Sequence, residues 1–253
     1  MNKSARLRWL FLILFLEAAL FLSVSSIDAL LRAVKIFQAP TEPVIRSIPG
    51  TKVLAQYSFE NPESLKPWEE KIFKSKTQYQ ILSEGDDHFL KSKSIDACSG
   101  LYVKVDVPTT PDLYLSWRWR ALSFPKKKDP DKLSNKKEDD FAARVYIIFL
   151  GANFFKSDVI EYIWDEKIPT GTAASSPYSD RIKLYVLRNG PMPEASRGWF
   201  EEERNVAQDY QKLYGKPPGK PVGAVALMSD SDNTGTSSEA DFGKITLKTK
   251  LAN

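Results

Sequence analysis

The sequence VGAVALMSDSDNTGTSSEADFGKITL, residues 222–247, decides how the rest of the chain is interpreted. Its first part, residues 222–228, is a short apolar run with β-branched residues, as in a strand that is buried on both faces. A polar loop follows, and in Phe242–Leu247 the apolar Ile245 and Leu247 alternate with polar residues, as in a second strand. A loop rich in Asp, Asn and Thr between two strands is a place where a ligand or a metal would bind.

The composition favours a β-rich domain and excludes several kinds of site. The 253 residues include 16 Pro, 14 Phe, 10 Tyr and 6 Trp, which favours many short strands over long helices. Cys98 is the single cysteine and His88 the single histidine, so intrachain disulfides, Cys-based zinc sites and multi-histidine metal sites are excluded. The net charge is only +4 and the basic residues are dispersed or concentrated in one loop, so no nucleic-acid partner is expected.

The amino terminus has the pattern of an export signal. Three basic residues among the first eight precede an apolar segment from Trp9 to Leu22, which Glu17 interrupts. This pattern predicts a signal peptide or an uncleaved signal anchor over residues 1–26. A charge inside a membrane span costs about 2.5 kcal/mol or more, so cleavage is favoured over anchoring. We therefore expect export to the periplasm or the cell exterior, with membrane contact, at the inner membrane, only through this segment if it stays uncleaved.

The remaining sequence predicts an all-β domain preceded by a linker. Residues 27–52 contain three prolines and are expected to be the linker, and residues 53–248 the domain. Turn signals separate short apolar alternations at intervals of about 8–12 residues, which predicts a jelly-roll-like antiparallel β-sandwich. One helix is expected near 199–214, since glutamates begin it and Gly215 ends it. Residues 126–140 are lysine-rich and lack an apolar period, which indicates a mobile surface loop.

Several short stretches together resemble DUF3047, a family of exported bacterial proteins of unknown function. The resemblance covers roughly residues 53–248 and implies an exported β-rich domain without an assigned activity. The stretches that carry it are Trp117–Trp119, Asp139–Tyr146, Tyr162–Trp164, Arg204–Val206 with Asp209 and Tyr210, and Ala226–Thr234.

The two ends of this region resemble jelly-roll carbohydrate-binding modules. Phe59-Glu60 followed by Trp68 is similar to the opening strand of such modules, and Asp241–Leu247 is similar to their closing strand. In these modules the opening acidic residue and the closing aspartate can share a structural calcium ion. The resemblance therefore implies Glu60 and Asp241 as calcium ligands.

The loop after residue 228 is also a candidate calcium site on the basis of its own spacing. Asp230 and Asp232 precede Gly235, and Asp241 occupies the twelfth position, as in part of an EF-hand loop. Strands rather than helices are expected on both sides, so a true EF-hand is not expected. Two interpretations stay open: a structural Ca²⁺ bound by these oxygens, or an acidic turn whose side chains cap its own backbone.

Arginine and aromatic residues on several strands form a candidate ligand surface. If each strand buries its more apolar face, Arg118, Arg144 and Tyr146 share the opposite parity and could meet on one sheet face. Aromatic rings pack against the C–H surfaces of sugars, and arginine donates to hydroxyls or carboxylates. The alternative is that the aromatic residues belong to the core and the arginines pair with acids. The candidate ligand-binding residues are Arg118, Arg144, Tyr146, Tyr162, Trp164 and Arg204, the last expected to reach the acidic loop.

Three acids are candidate catalytic residues: Glu161, Asp165 and Asp230. On a regular strand Glu161 and Asp165 share a face but lie about 13 Å apart, whereas glycoside hydrolysis requires about 5–10 Å. Only a bulge would bring this pair together.

The leading hypothesis is therefore an exported cell-envelope domain that binds a polysaccharide or another envelope glycan. The alternatives are a carbohydrate-active hydrolase that uses acidic residues and a scaffold that binds another protein.

Overall fold

The computed structural model describes residues 50–152, 156–192 and 198–250. These residues contain thirteen strands, one α-helix and one 3₁₀ turn. The helix, α1, is Val206–Tyr214, and the 3₁₀ turn is Pro62–Leu65. The strands are β1 (Thr51–Tyr57), β2 (Glu69–Ile72), β3 (Gln78–Glu84), β4 (Asp87–Ile95), β5 (Ser99–Val107), β6 (Leu113–Ser123), β7 (Ala143–Phe149), β8 (Asp158–Asp165), β9 (Ala173–Ser176), β10 (Ser179–Asn189), β11 (Phe200–Asn205), β12 (Val222–Met228) and β13 (Ser237–Lys250).

The predicted signal segment, residues 1–26, and nearly all of the predicted linker lie outside the described residues. The domain boundaries at these positions therefore stay predictions. Within the described ranges, no helix has both the length and the apolar character needed to span a membrane.

The strands form two sheets, so the prediction of an all-β sandwich is confirmed. The six-stranded sheet has the order β11-β6-β13-β4-β3, with β1 paired to the second half of β13. The seven-stranded sheet has the order β2-β5-β12-β7-β8-β10-β9. One neighbouring pair, β8 with β10, is parallel, because β9 carries the chain back along the sheet edge and β10 then inserts between β8 and β9. The sandwich is thus mixed rather than wholly antiparallel.

The core lies between the sheets and follows from the alternation of β6. Leu113, Leu115, Trp117 and Trp119 all point inward and are buried. The ring of Trp117 lies 5.2 Å from that of Tyr162 on β8, between centroids, and Trp119 lies 5.6 Å from Trp164 in the same way. These four aromatic residues therefore join the two sheets.

The predicted helix begins later than expected. Residues 200–205 form β11, which pairs along its full length with β6, so the sheet edge overrides the glutamate-rich helix signal. Helix α1 begins after Asn205, whose side chain accepts a hydrogen bond from the backbone N–H of Gln208 at 2.9 Å. It ends at Gly215, whose φ of +70° is left-handed and suits glycine.

The lysine-rich segment is not simply a surface loop, because part of it covers the outer face of the seven-stranded sheet. Leu133 and Phe141 are buried in a second apolar cluster with Ile163, Leu184 and Val186, outside the main core. Three acids of the segment, Glu138, Asp139 and Asp140, are buried as well. The prediction of a mobile loop over 126–140 is wrong for Leu133 and these acids because one isolated apolar side chain leaves no period to detect.

Candidate functional site

One row of side chains crosses the outer face of the seven-stranded sheet at right angles to the strands. Tyr102 on β5 lies opposite Ala226 on β12, Ala226 lies opposite Tyr146 on β7, and Tyr146 lies opposite Glu161 on β8. Directly paired residues point to the same face, so these side chains are continuous neighbours. The same pairing extends the row at both ends. We call it the tyrosine row; its members are Glu69, Tyr102, Ala226, Tyr146, Glu161, Leu184 and Ala174.

The two tyrosines of the row are partly accessible, and a small residue separates them. Tyr102, Ala226 and Tyr146 are each half-buried. Neighbouring strands lie about 4.8 Å apart, so the Cα atoms of the two tyrosines, two strands apart, are separated by about 10 Å. The side chain of Ala226 is too short to fill the space between the rings. The result is a shallow strip with an aromatic side chain on each side.

Polar groups lie at the Tyr102 end of the strip. The hydroxyl of Tyr102 donates to Oε2 of Glu69, and Nζ of Lys104 donates to Oε1 of the same carboxylate at 2.7 Å. Burial, and then the hydrogen bond to Glu69, raise the pKa of Tyr102 to about 12. This phenol therefore stays neutral and the glutamate stays charged at neutral pH.

Arg144 lies beside the row, on the same face of β7, and is held by three acids. Its Nε and Nη2 donate to Oδ1 and Oδ2 of Asp230 at 3.1 and 2.7 Å. Its Nη1 donates to Oε2 of Glu161 at 2.9 Å and lies 3.7 Å from the carboxylate of Asp139. The ring of Phe141 lies 4.5 Å from the guanidinium carbon, and the backbone N–H of Phe141 donates to Asp230 at 3.0 Å. Arg144 thus connects β7, β8, the segment before β7 and the loop after β12.

The charges of this cluster do not balance if every acid is ionised. Three carboxylates surround one guanidinium in a buried site. Burial, opposed by the charge of Arg144 and aided by that of Asp139, raises the pKa of Glu161 to about 7. Burial lowers the pKa of Arg144, but Asp230 and its other neighbours outweigh this and raise the pKa well above the usual value. The cluster therefore holds a proton on a carboxyl group near neutral pH.

Glu161 is the member of the cluster that also belongs to the tyrosine row. One of its oxygens, Oε2, is bound by Arg144. Among the described groups, none donates a hydrogen bond to the other oxygen, Oε1. A partly protonated carboxyl group is therefore placed at the end of the strip, beside Tyr146, where it can donate or accept a hydrogen bond.

The predicted ligand-binding residues do not all come together. Arg144 and Tyr146 share a face, as predicted, but Arg118 lies on β6 in the other sheet and pairs with Asp87. The prediction that Arg118 joins them is wrong because parity fixes the face within a sheet and not the sheet to which a strand belongs. Tyr162 and Trp164 point into the core, with exposures of 0 % and 1 %, so they cannot contact a ligand there.

Arg204 does not reach the acidic loop. Its Nε donates to Asp209 at 2.8 Å, and the hydroxyl of Tyr162 donates to the same carboxylate at 2.9 Å. The expectation failed because Arg204 belongs to β11, at an edge of the six-stranded sheet, and not to the helix.

The carboxylate pair Glu161 and Asp165 stays apart. The ladder between β7 and β8 has no register shift, so no bulge shortens their separation of about 13 Å. Asp165 is also engaged, because it accepts from Nζ of Lys127 at 2.6 Å and from the backbone N–H groups of residues 167 and 168. The acid that shares the Nη1 group of Arg144 with Glu161 is instead Asp139.

The four predicted calcium ligands lie in three places. Asp230 and Asp232 belong to one group with Cys98, whose ligand atoms lie within 4.8 Å of one another. Asp241 points to the outer face of the other sheet, where Nε of Arg120 donates to it at 2.7 Å. Glu60 is exposed and accepts from the hydroxyl of Ser58 at 3.1 Å. Structural calcium therefore stays a prediction, without a single set of four ligands.

The acidic turn itself is capped by a residue from elsewhere in the chain. Asp140, fully buried, accepts from the backbone N–H groups of Asn233 and Thr234 at 3.2 and 2.7 Å. It also accepts from the hydroxyl of Thr234 at 2.8 Å. Sequence reasoning placed such caps within the turn and missed Asp140, because nothing in the local pattern connects residues 140 and 234.

Sequence reasoning also missed Tyr102 and Ala226. Tyr102 has the outer parity of the apolar alternation in residues 101–107, and this is a signal that the sequence carries. The alignment with Tyr146 depends on the register of β12 with both β5 and β7, and a single sequence does not fix that register.

Solved structures that are similar to this chain include proteins with carbohydrate-related names. One is the xyloglucanase domain of NopAA from Sinorhizobium fredii, in complex with cellobiose, at 12% identity and a TM-score of 0.39, covering 72% of this chain and 93% of that chain. Another is the CBM22-1–CBM22-2 tandem domain of Xyn10C from Paenibacillus barcinonensis, at 9% identity and a TM-score of 0.39, covering 81% and 48%. A third is the Endo-D glycoside hydrolase domain from Streptococcus pneumoniae R6, at 11% identity and a TM-score of 0.34, covering 71% and 21%.

This chain spans only about a fifth of the Endo-D structure and about half of the tandem domain. No curated protein matches the chain by sequence. The sequence profile of DUF3047, described as a protein of unknown function, matches residues 66–246. These residues are well over half of the chain, and they include β2 to β12, most of β13, the tyrosine row and the Arg144 cluster. The chain therefore belongs to the DUF3047 family.

Proposed function

We propose that this domain binds a glycan along the tyrosine row. The observation that carries the proposal is the pair of half-buried tyrosines, Tyr102 and Tyr146, on either side of Ala226. Sugar rings present C–H surfaces that pack on aromatic rings, and a spacing of about 10 Å suits an extended chain of sugars rather than a single ring.

The polar groups of the row complement sugar hydroxyls. Glu161, at one end of the strip beside Tyr146, offers Oε1 as an acceptor or, when protonated, as a donor. At the other end Glu69 and Lys104 form a surface ion pair that stays accessible to solvent. Few polar groups placed beside aromatic surfaces are typical of carbohydrate and small-ligand sites.

The Arg144 cluster supports the site without contacting the ligand in this proposal. Arg144 is only 2 % exposed and its donors are taken by Asp230, Glu161 and the backbone oxygen of Asp139. It holds the segment that ends at Phe141 against the sheet, next to the row. In this proposal the fixed position of this segment pre-organises the site.

We also propose that the glycan belongs to the cell envelope, because the amino-terminal pattern predicts export. An alkaline phosphatase fused after residue 50 tests this part on its own. Activity of the fusion in intact cells is expected, since the phosphatase is active only outside the cytoplasm. A fusion that is produced but inactive would remove the envelope from the proposal and leave the glycan-binding site untouched.

The binding proposal is tested by a glycan array probed with the purified protein and with its Tyr102→Ala/Tyr146→Ala variant. Wild type is expected to bind a small set of polysaccharides, and the variant to lose these signals. Tyr114→Ala, which removes a partly exposed tyrosine from the other sheet, is the matched control. An array on which wild type binds no glycan would contradict the proposal and favour a protein-binding scaffold.

One observation favours a second candidate function, glycoside hydrolysis. Glu161 lies at the row with a pKa raised to about 7, and Asp139 is held by the same guanidinium nitrogen. A carboxyl group that keeps its proton near neutral pH can protonate a glycosidic oxygen while a second carboxylate assists on the other side. Release of new reducing ends from a bound glycan, abolished in Glu161→Gln with binding retained, is the result expected of an enzyme. Intact glycan after long incubation is the result expected of a binding domain.

A further inference from the structure

Positive and negative residues are mixed along the lysine-rich segment, but in the fold three of its acids are buried while most of its lysines stay exposed. Its buried acids are used internally: Glu138 accepts from the backbone N–H groups of residues 128 and 129, Asp139 contacts Arg144, and Asp140 caps the turn at Thr234. Several of its lysines stay on the surface. Within the described ranges, Lys126, Lys128, Lys136 and Lys137 are exposed and form no ion pair with a carboxylate. Asp131 is the one exposed acid of the segment and Asp129 is paired with Lys132, so the exposed lysines outnumber the exposed acids and the outer surface of the segment is cationic.

Part of this surface forms an open groove of about 730 Å³. It is lined by residues of the 129–137 segment, with Lys136 and Lys137 among them, and by Ala174 of β9. We call it the lysine groove. Nζ of Lys136 lies 5.0 Å from the ring centroid of Tyr178, so an aromatic side chain adjoins the cationic group. Asp129, the one acid of the lining, is already paired with Lys132 at 2.7 Å.

The lysine groove lies at the far end of the tyrosine row. Ala174, which lines the groove, is the last member of the row and pairs with Leu184 on β10. Tyr146 and Ala174 are three strands apart, which corresponds to about 14 Å. Leu184 between them is covered by Leu133, so a chain that follows the row must pass over the segment that carries the lysines.

We infer that the lysine groove selects anionic glycans: a polysaccharide bound along the tyrosine row places carboxylate, phosphate or sulfate groups against Lys136 and Lys137. This inference rests on the proposed function and adds the substrate class. Lysine serves as a point charge for such groups without requiring a fixed geometry, which suits irregularly substituted polymers. Because the lysines are exposed, the preference for anionic chains should weaken as salt is added.

The test compares polygalacturonate with its methyl ester, and dextran sulfate with dextran, by affinity electrophoresis of the full-length protein. Wild type should bind the charged member of each pair more tightly. Lys136→Gln/Lys137→Gln should lose about fivefold in affinity for the charged polymers, the sum of two modest surface interactions. Lys216→Gln/Lys244→Gln removes the same charge from exposed lysines elsewhere and should have no effect. The first pair of polymers tests carboxylate groups and the second pair tests sulfate groups, so the two kinds of charge are compared separately.

Four results would contradict the inference: no binding of either charged polymer, equal binding of charged and neutral members, equal losses in both lysine variants, or tighter binding of a DNA duplex than of any polysaccharide. Tyr146→Ala, run on the same gels, reports on the proposed function separately. Weaker binding of charged and neutral polymers alike is expected from it. If only the Lys136→Gln/Lys137→Gln variant loses affinity, the proposed function fails while the preference of the groove for polyanions stands.

Discussion

Arg144 and Asp230 form a bidentate ion pair in which each side chain is only 2 % exposed. The pair joins β7 to the loop that follows β12, at the point where Phe141 also donates its backbone N–H to Asp230. A buried charge pair of this kind is costly to break, because removing one partner leaves the other without compensation. The pair therefore fixes the position of the segment beside the tyrosine row.

Arg144→Met should reduce the free energy of unfolding by about 3–5 kcal/mol, because Asp230 and Asp139 then lose their cation inside the protein. Urea unfolding followed by tryptophan fluorescence measures this value. Adding Asp230→Asn to the same chain should recover part of the loss, since the uncompensated charge disappears.

Arg118→Met is the matched control for this experiment. Arg118 pairs with Asp87 at a partly exposed position, so its removal should cost no more than about 1 kcal/mol. Equal losses for Arg118→Met and Arg144→Met would contradict the assignment of Arg144 as the structural connection.

Glu161 makes stability depend on pH in a predictable direction. Its folded-state pKa of about 7 lies above the usual value of 4.5, so the native state binds this proton more tightly than the unfolded state. The contribution of this proton to the free energy of unfolding is complete below about pH 4.5 and is lost as the pH rises through about 7. Urea unfolding between pH 5 and about 8 should therefore show that wild type loses stability relative to Glu161→Gln, whose amide keeps the uncharged form at every pH. A difference between the two proteins that does not vary with pH would contradict this result.

Asp140 is expected to stabilise the turn at residues 233–234. Asp140→Asn removes the charge that strengthens its hydrogen bonds to Asn233 and Thr234, so the free energy of unfolding should fall by about 2 kcal/mol. Asp106→Asn, at an exposed position, should change it by less than about 0.5 kcal/mol. Equal effects of the two substitutions would show that the capping bonds contribute little.

Melting curves recorded with calcium and with a chelator test the separate prediction of a structural ion. A ligand that binds only the native state raises the melting temperature, and Asp232→Asn should abolish the increase if Asp232 is a ligand. Superimposable curves for wild type would leave the turn capped by Asp140 as the sole explanation of the acidic sequence.

The sequence predicted the elements better than their arrangement. In Leu113–Arg120 apolar residues alternate with polar ones, and the apolar set is the one that faces inward in β6, since period-two burial is a local property. The apolar run at 222–228 likewise became an interior strand, β12, with neighbours on both sides. These features depend only on which residues are apolar and how they are spaced.

The site depended on relations between distant residues, which a single sequence does not show. Arg118 and Arg144 have the same parity yet lie on different sheets, and Tyr102 reaches Tyr146 only through the register of β12. Asp139 and Asp140 looked like part of a solvated charged run, but both are buried: Asp140 caps the turn at Thr234, and Asp139 lies 3.7 Å from Nη1 of Arg144. Their pairing energy comes from tertiary contacts, so no local pattern reveals it.

The most direct test of the glycan-binding site is the dissociation constant of the strongest array ligand, measured by titration calorimetry for wild type, Tyr146→Ala and Tyr114→Ala. Tyr146→Ala, which lacks one stacking ring, should bind the glycan about tenfold more weakly than wild type, while Tyr114→Ala should bind it like wild type. Both variants should keep the melting temperature of wild type to within a few degrees, because each tyrosine is partly exposed. A folded Tyr146→Ala variant with the affinity of wild type would contradict the account of the tyrosine row as the binding site.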